Sequence, residues 1–509
     1  MPNYLSPGVY VEEVDSGSRP IEGVGTAVAA FIGLAEKGPF NTPLLVTNWS
    51  QYMQLFGDFV AGTYLAQAVY GYFQNGGGAC YVVRVGSGGE EKSAVAELTS
   101  GAESSLMGAY KVKALDAGAE GNDIAVEVAD SAHAGEDGAF KLVVKKNGQT
   151  AETFDPVVTK KGKTNVVTVV NAQSQLIRIE ETAKTAIEAV NKGTITLAGG
   201  GSAVPTRMNP ADYIGDSATR SGIGGLEAID EVTMLSIPDL MSAYQKGLID
   251  LEGVKAVQLA MITHCELMGD RMAILDPPPA LNAQEIKSWR VEEAGYDSKY
   301  AALYWPWIKV FDPASGTNVN VPPSGHMAGI WGRNDDSRGV HKAPANEIVR
   351  GAISLEINIT KAEHDLLNPI GVNAVRSFPG RGIRVWGART LSSDPAWRYI
   401  NVRRLFNYLE ESILQGTDWV VFEPNDPNLW AKIRRTIAAF LVNEWRKGAL
   451  FGSTPNEAFY VKCDGETNPA EGIDAGQVIC EIGLAPVKPA EFVIFRLSQF
   501  SGGTSLVAE

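Results

Sequence analysis

Alternation of apolar and polar positions is clearest near the two ends of this chain. Tyr4-Leu5-Ser6-Pro7-Gly8-Val9-Tyr10-Val11-Glu12-Glu13-Val14 sets a Pro-Gly turn before a run rich in β-branched and aromatic side chains. Ala490-Glu491-Phe492-Val493-Ile494-Phe495-Arg496-Leu497 is a second such run. Both predict strands, with Val9, Tyr10, Val11 and Val14 as the contacting residues of the first and Phe492, Val493, Ile494 and Phe495 of the second. An unpaired strand edge templates pairing with another chain. The ribbons therefore pair either with each other or with neighbouring molecules, and neighbours are the expectation.

Between the ends the pattern predicts alternating strands and helices. Ala27 to Leu34 and Cys80 to Val85 read as buried strands, with helices at Ser50 to Phe56 and Tyr64 to Gln74. Val232 to Asp239 and Met272 to Asp276 read as two more, bracketing a helix from Leu251 to Met268. That order implies a parallel α/β sheet. A stretch from about Gly86 to Pro210 lacks Trp and Cys and is entered and left through Gly86-Ser87-Gly88-Gly89 and Gly199-Gly200-Gly201-Ser202. It contains Ile124 to Val128 and Phe140 to Lys146 before an Asn147-Gly148 turn, which predicts a mostly β insertion domain. In the last third, Asp394-Pro395 and Asp426-Pro427 each mark a helix start. The first helix carries Val402, Leu405, Leu409 and Ile413 as its stripe, and the second carries Trp430, Ile433, Ile437, Phe440 and Leu441. Strands are predicted at Trp419 to Phe422, Phe459 to Val461, Val478 to Leu484 and Phe492 to Leu497.

The chain has 509 residues, enough for about three domains. A net charge of -15 speaks against direct binding of nucleic acid or anionic lipid. Four cysteines, Cys80, Cys265, Cys463 and Cys480, show no metal-ligand spacing and read as buried thiols in a reducing cytoplasm. No secretion signal or bilayer-length apolar segment is visible, so a soluble protein without membrane insertion is expected.

Chemistry-bearing patterns are few. Val82 to Val85 followed by Gly86 to Gly89 could open a dinucleotide fold, but no apolar helix follows, and a linker is the competing reading. No GxxxxGK[ST], HExxH or GxSxG occurs. His133, His264, His326, His341 and His364 are scattered and have no second ligand at i+3 or i+4. Asp335-Asp336 could form a carboxylate pair, or could make ion pairs in a turn with the flanking Arg333 and Arg338. Arg398, Arg403, Arg404, Lys432, Arg434 and Arg435 are the densest basic group, either a solvated face or a docking surface for an acidic partner.

Taken together, several stretches resemble the contractile tail sheath proteins of phages and related injection machines. They are Tyr4 to Glu13, Phe31-Ile32-Gly33-Leu34-Ala35-Glu36-Lys37-Gly38-Pro39, Tyr72 to Gly77 with Tyr81 to Val85, and Asp335 to Arg338 with Ala343 to Asn346. Arg384-Val385-Trp386-Gly387-Ala388-Arg389-Thr390, Trp397 to Arg404 and Pro489 to Val493 extend the match. These run in order from residue 3 to residue 496 and miss only the insertion.

The resemblance implies a multidomain α/β and α+β protein. Its parts would be an N-terminal arm (1–20), an α/β middle domain (21–88 and 210–379), a mostly β outer insertion (89–209), an α+β inner domain (380–485) and a C-terminal arm (486–509). It implies a structural subunit, not an enzyme, with no cofactor, metal or catalytic residues. Six-fold rings of such subunits stack as a helical sheath around an inner tube protein, bounded by baseplate and terminal cap proteins, and contract from a metastable extended state. Arms exchange strands between subunits, and Arg403, Arg404, Lys432, Arg434 and Arg435 are the candidate tube contacts. Assembly in the bacterial cytoplasm follows, as part of a virion or of a tail-like particle that can be released. The alternatives are a nucleotide-binding α/β enzyme using the Gly86 to Gly89 turn, and another structural polymer such as a capsid or surface-layer protein.

Overall fold

The computed structural model describes residues 20–86, 93–100, 107–116, 119–132, 138–182, 189–200, 208–313 and 315–497. Val9, Tyr10, Val11 and Val14 lie outside the described residues.

The first strand, β1 (Val28–Gly33), is apolar at successive positions and buried on both faces, as the interior of a parallel sheet requires. β2 (Leu44–Val46) precedes α1 (Trp49–Phe56), which starts where the Asn48 side chain accepts from the Gln51 N–H. α2 (Leu65–Gln74) leads into β3 (Ala79–Arg84), parallel to β1 from Val28↔Ala79 to Gly33↔Arg84.

The next strands are β4 (Val95–Ser100), β5 (Met107–Ala114), β6 (Ile124–Asp130), β7 (Phe140–Lys146) and β8 (Gln149–Val157). α3 (Val166–Gln173), β9 (Ile177–Glu181) and β10 (Gly193–Thr196) follow. They form two antiparallel sheets, β4-β5-β9 and β10-β6-β7-β8, around an apolar core of their own. Asn147 and Gly148 both take positive φ, 54° and 75°, so the two-residue turn matches the twist of the β7 and β8 strands it joins.

After α4 (Pro210–Ile214), the chain returns to the first sheet through β11 (Met234–Ser236), α5 (Asp239–Gln245), α6 (Leu251–Met268) and β12 (Met272–Leu275). Asp250 caps the start of α6, and Gly269, at φ 74°, ends it. α7 (Ala283–Ser288) and β13 (Ala301–Trp305) continue this layer. β14 (Ile308–Asp312), β15 (Thr317–Val321) and β16 (Ala352–Leu355) make a small antiparallel sheet, with α8 (Ser324–Arg338) before β16. α9 (Lys361–Leu367), β17 (Val372–Phe378) and β18 (Gly382–Val385) complete an eight-stranded sheet of order β18-β17-β13-β12-β11-β1-β3-β2. It is parallel except at its two edges. α8 covers it by packing backbone to backbone on α2. A Cβ on Gly325 would lie 2.4 Å from the Ala68 Cα, and one on Gly329 2.3 Å from the Tyr72 carbonyl oxygen.

The last part holds α10 (Ile400–Gly416), α11 (Pro427–Arg446), α12 (Pro455–Ala458), β19 (Phe459–Lys462), α13 (Ala470–Asp474) and β20 (Glu481–Leu484). Leu405, Leu409, Ile433, Ile437 and Leu441 form its core. The chain is thus a mixed α/β protein with several sheets.

Four local expectations change. α10 begins at Ile400, not at Asp394-Pro395, which opens only a short 3-10 turn over Pro395–Trp397. The Thr390 hydroxyl and N–H take the Trp397 and Arg398 carbonyls, which a continuous helix would need. Trp419 to Phe422 is no strand. The Val421 and Glu423 N–H groups close turns onto Asp418 and Val420, leaving Phe422 at φ 70° and fully exposed. β20 is confined to Glu481–Leu484, because the Asn468 amide binds both backbone groups of Ile479. Phe492 to Leu497 has no strand partner among the described residues.

Candidate assembly surfaces

Order in the large sheet reverses between β1 and β11, the place where open α/β sheets hold ligands. Here the position is filled by the chain itself. The Asp239 carboxylate, fully buried, accepts the N–H groups of Leu34 at 2.7 Å, Tyr64 at 2.5 Å and Leu65 at 3.2 Å. It therefore occupies the N-terminus of α2, where a phosphate would bind. Burial pushes its carboxyl up to about 6 while these N–H groups oppose the rise. Ser87 to Gly89 lie outside the described residues, and the next described element after β3 is the strand β4, not a helix. Among the described residues the nucleotide reading of Gly86 to Gly89 has no phosphate-binding helix behind it.

The basic group divides on burial. Arg403 and Arg404, at 2% and 4% exposed, are buried within this chain. Their position on α10 turns them into the body. Arg404 donates to both Asp335 oxygens, at 2.8 and 2.5 Å, and to the Thr26 carbonyl at 2.9 Å. The Thr26 hydroxyl donates to Asp335 at 2.7 Å. The guanidinium carbon lies 4.8 Å from the Trp331 ring centre. Asp335 is therefore not in a turn with Arg333 and Arg338. It sits on α8, and its partner comes from α10. Arg403 is stacked near Trp397 and Tyr300, at 4.6 and 4.8 Å, and donates to Asn407 and Glu410. Lys432 and Arg435 are exposed on α11, and Arg434 is half-buried with one N–H on the Cys463 carbonyl.

The C-terminal ribbon is held at one residue. Glu491 accepts from Arg389 Nε at 2.9 Å and Nη2 at 2.6 Å, from Asn368 at 2.8 Å and from the Tyr399 hydroxyl at 3.1 Å. Partial burial would raise its carboxyl, but the Arg389 and Asn368 bonds win and hold it below the usual glutamate value. Past this clamp the chain is bare: Phe492, Val493, Ile494, Phe495 and Leu497 are all exposed, Leu497 almost completely. Upstream, the Val487 carbonyl accepts from Asn401 and its N–H reaches the Ala449 carbonyl. Nearby, β19 and β20 form a two-stranded sheet with no third strand among the described residues. Sequence reasoning missed the clamp. Arg384 to Thr390 and Pro489 to Val493 both stand out along the chain, but nothing linear says that they touch.

No helix of the described residues is long and apolar enough to cross a membrane, and no cluster in them could hold a metal ion. The large sheet is closed at its ligand position by Asp239, and an exposed apolar ribbon leaves the body beyond Glu491. The family model for the phage tail sheath protein central domain matches residues 224–391, and that for the phage tail sheath C-terminal domain matches residues 392–500. The chain belongs to the phage tail sheath protein family, whose members are structural sheath proteins and not enzymes. It is 25% identical to the tail sheath protein of Burkholderia phage BcepMu, over 97% of this chain and 96% of that one. It is 27% identical to the tail sheath protein of Vibrio phage KVP40 over 70% of this chain, and spans 54% of that longer protein. Two solved structures share the fold. The PVC sheath complex of an extracellular contractile injection system, in the contracted state, has TM-score 0.59 and 24% identity over 98% of this chain and 99% of that one. The contracted helical sheath of the anti-feeding prophage has TM-score 0.61 and 23% identity over 97% and 99%.

Proposed function

We propose that this chain polymerises as stacked six-subunit rings around an inner tube and contracts from an extended, metastable state, driving the tube through a target envelope. The observation that carries this reading is the ribbon after Glu491: a clamped departure point followed by exposed apolar residues that no part of the described chain covers. A protein that stayed alone would leave this strand edge to aggregate. The two-stranded β19–β20 sheet is the receiving site proposed for a neighbour's arm. Each backbone hydrogen bond of such a joint contributes about 0.5–1.5 kcal/mol, so a few per arm hold adjacent rings while letting them turn.

In this reading residues 1–20 and 486–509 are the linking arms. Residues 21–88 with 210–379 form the middle body, 89–209 the outer insertion, and 380–485 the inner domain next to the tube. Lys432 and Arg435, with the half-buried Arg434, remain the candidate contacts to an acidic tube face. Baseplate and terminal cap proteins would bound the cylinder, which is assembled in the bacterial cytoplasm within a virion or tail-like particle. Negative-stain microscopy tests the reading. The full chain, expressed with its tube protein, should form striated cylinders, and deletion of residues 492–509 should leave only small particles. Ordered cylinders from the truncated chain would overturn it. Reversing charge at Lys432 and Arg435 should reduce assembly on the tube, while normal extended particles would remove those residues from the tube face.

A further inference from the structure

Cys463 follows β19 and Cys480 precedes β20. The register that pairs Lys462 with Glu481 therefore sets the two cysteines opposite each other, one step beyond the ladder. At the other end of this ladder the Ala485 N–H donates to the Ala458 carbonyl, which marks a hydrogen-bonded pair. Bonded and non-bonded pairs alternate, so the cysteines fall on a non-bonded pair, with Cα atoms roughly 4.5 Å apart. A disulfide spans roughly 4.4–6.8 Å between Cα atoms. Both are free thiols. Asn468 braces the site, donating to Cys463 Sγ at 3.8 Å and to the Ile479 carbonyl at 3.0 Å, and accepting the Ile479 N–H at 2.7 Å. Cys463 is buried and Cys480 is partly open, which separates an entry thiol from an inner one.

We propose that Cys463 and Cys480 form a cross-strand disulfide by exchange with a small-molecule disulfide such as oxidised glutathione. The Cys480 thiolate attacks one sulfur of the oxidant, releasing one glutathione and leaving a mixed disulfide. The Cys463 thiolate then attacks the Cys480 sulfur and releases the second glutathione. Two protein thiols are oxidised, one disulfide is reduced to two thiols, and the two protons lost by the protein end on the released glutathiones. Burial pushes both thiols up, Cys480 to about 12, while the Arg434 guanidinium pulls both down; Asp464 and Glu481 add to the rise at Cys463 and Cys480 respectively. Thiolate is scarce near neutral pH, so exchange is slow and the bond acts as a lock, not a rapid sensor. Closing it staples the 464–479 segment to the β19–β20 sheet. The thiol chemistry is measured on unassembled chain and does not rest on the assembly reading.

The test incubates the full, folded chain with oxidised glutathione in mildly alkaline buffer, then blocks remaining thiols under denaturing conditions for peptide mass spectrometry. The free-thiol count should halve from four, with Cys463 and Cys480 in one linked peptide two hydrogens lighter. Cys463→Ala should accumulate a glutathione adduct on Cys480, since no inner thiol remains to displace it. If that variant does not fold, Cys480→Ala serves instead, and should leave Cys463 unmodified. Four persisting thiols, a lasting adduct on Cys480 in the parent chain, or linkage to Cys80 or Cys265 would each overturn the proposal.

Discussion

Arg404→Met tests how the three parts of the body are joined. Arg404 on α10 meets Asp335 on α8 and Thr26 on the entering N-terminal segment, and the paired side chains are 4% and 5% exposed. Methionine keeps most of the apolar stem and removes the guanidinium, leaving the Asp335 carboxylate buried near the C-terminus of α8, where the helix dipole also disfavours it. Breaking such a pair by removing one partner costs about 3–5 kcal/mol. The Thr26 hydroxyl still donates to Asp335, so the lower end, about 3 kcal/mol, is expected. At about 1.4 kcal/mol per decade this is roughly 10²-fold in the local opening equilibrium. Native-state amide exchange of α10 and of the last turns of α8 reads that change directly. Arg404→Met combined with Asp335→Leu should recover most of the loss, because an apolar replacement of a buried pair is often neutral. Exchange in α10 within roughly threefold of the parent, or a double variant no better than the single, would refute the argument. The exposed Lys361–Asp365 pair supplies the control: its removal should leave exchange unchanged.

Glu491→Ala should loosen the ribbon without unfolding the body, with amide exchange at Val487 faster by on the order of tenfold. Because the clamp holds the Glu491 carboxyl below its usual 4.5, its contribution is complete above that value and is lost as pH falls through the lower folded one. Ribbon release followed against pH should show that direction. His326 is fully buried, with Nδ1 unpaired among the described residues, and burial pushes its imidazole down to about 4. Stability is thus full above about 6.5 and falls as the pH drops towards 4. Thermal midpoints of the parent should decline over that window more than those of His326→Phe. Gly329→Leu would drive a side chain into the Tyr72 carbonyl of α2, and should sharply lower soluble yield and melting temperature.

Much of the chain is legible because local rules act without competition. α6 spans Leu251–Met268, the range read from the sequence, with Asp250 capping its start, and the Asn147-Gly148 turn joins the strands beside it. Capping and turn chemistry are settled within a few residues. The apolar run at Trp419 to Phe422 fails for the complementary reason: strand propensity needs a partner edge, and this run closes turns between two helices instead.

What the sequence determined by itself was the alternation of apolar strands and helices, the separate, β-rich stretch between β3 and α4 with a core of its own, and the tail sheath resemblance, since these depend on spacing and composition. Only the tertiary structure decided which charges are surface and which are interior. Arg403 and Arg404 are as basic as Lys432 and Arg435 in the sequence, yet burial makes the first two structural and leaves the others free to meet a partner. The Arg389–Glu491 clamp and the β19–β20 register, whose last pair Lys462–Glu481 lies next to Cys463 and Cys480, were likewise settled only by folding. Such contacts join distant positions through the packing of whole elements, and no local pattern encodes which of many possible partners that packing will bring within reach.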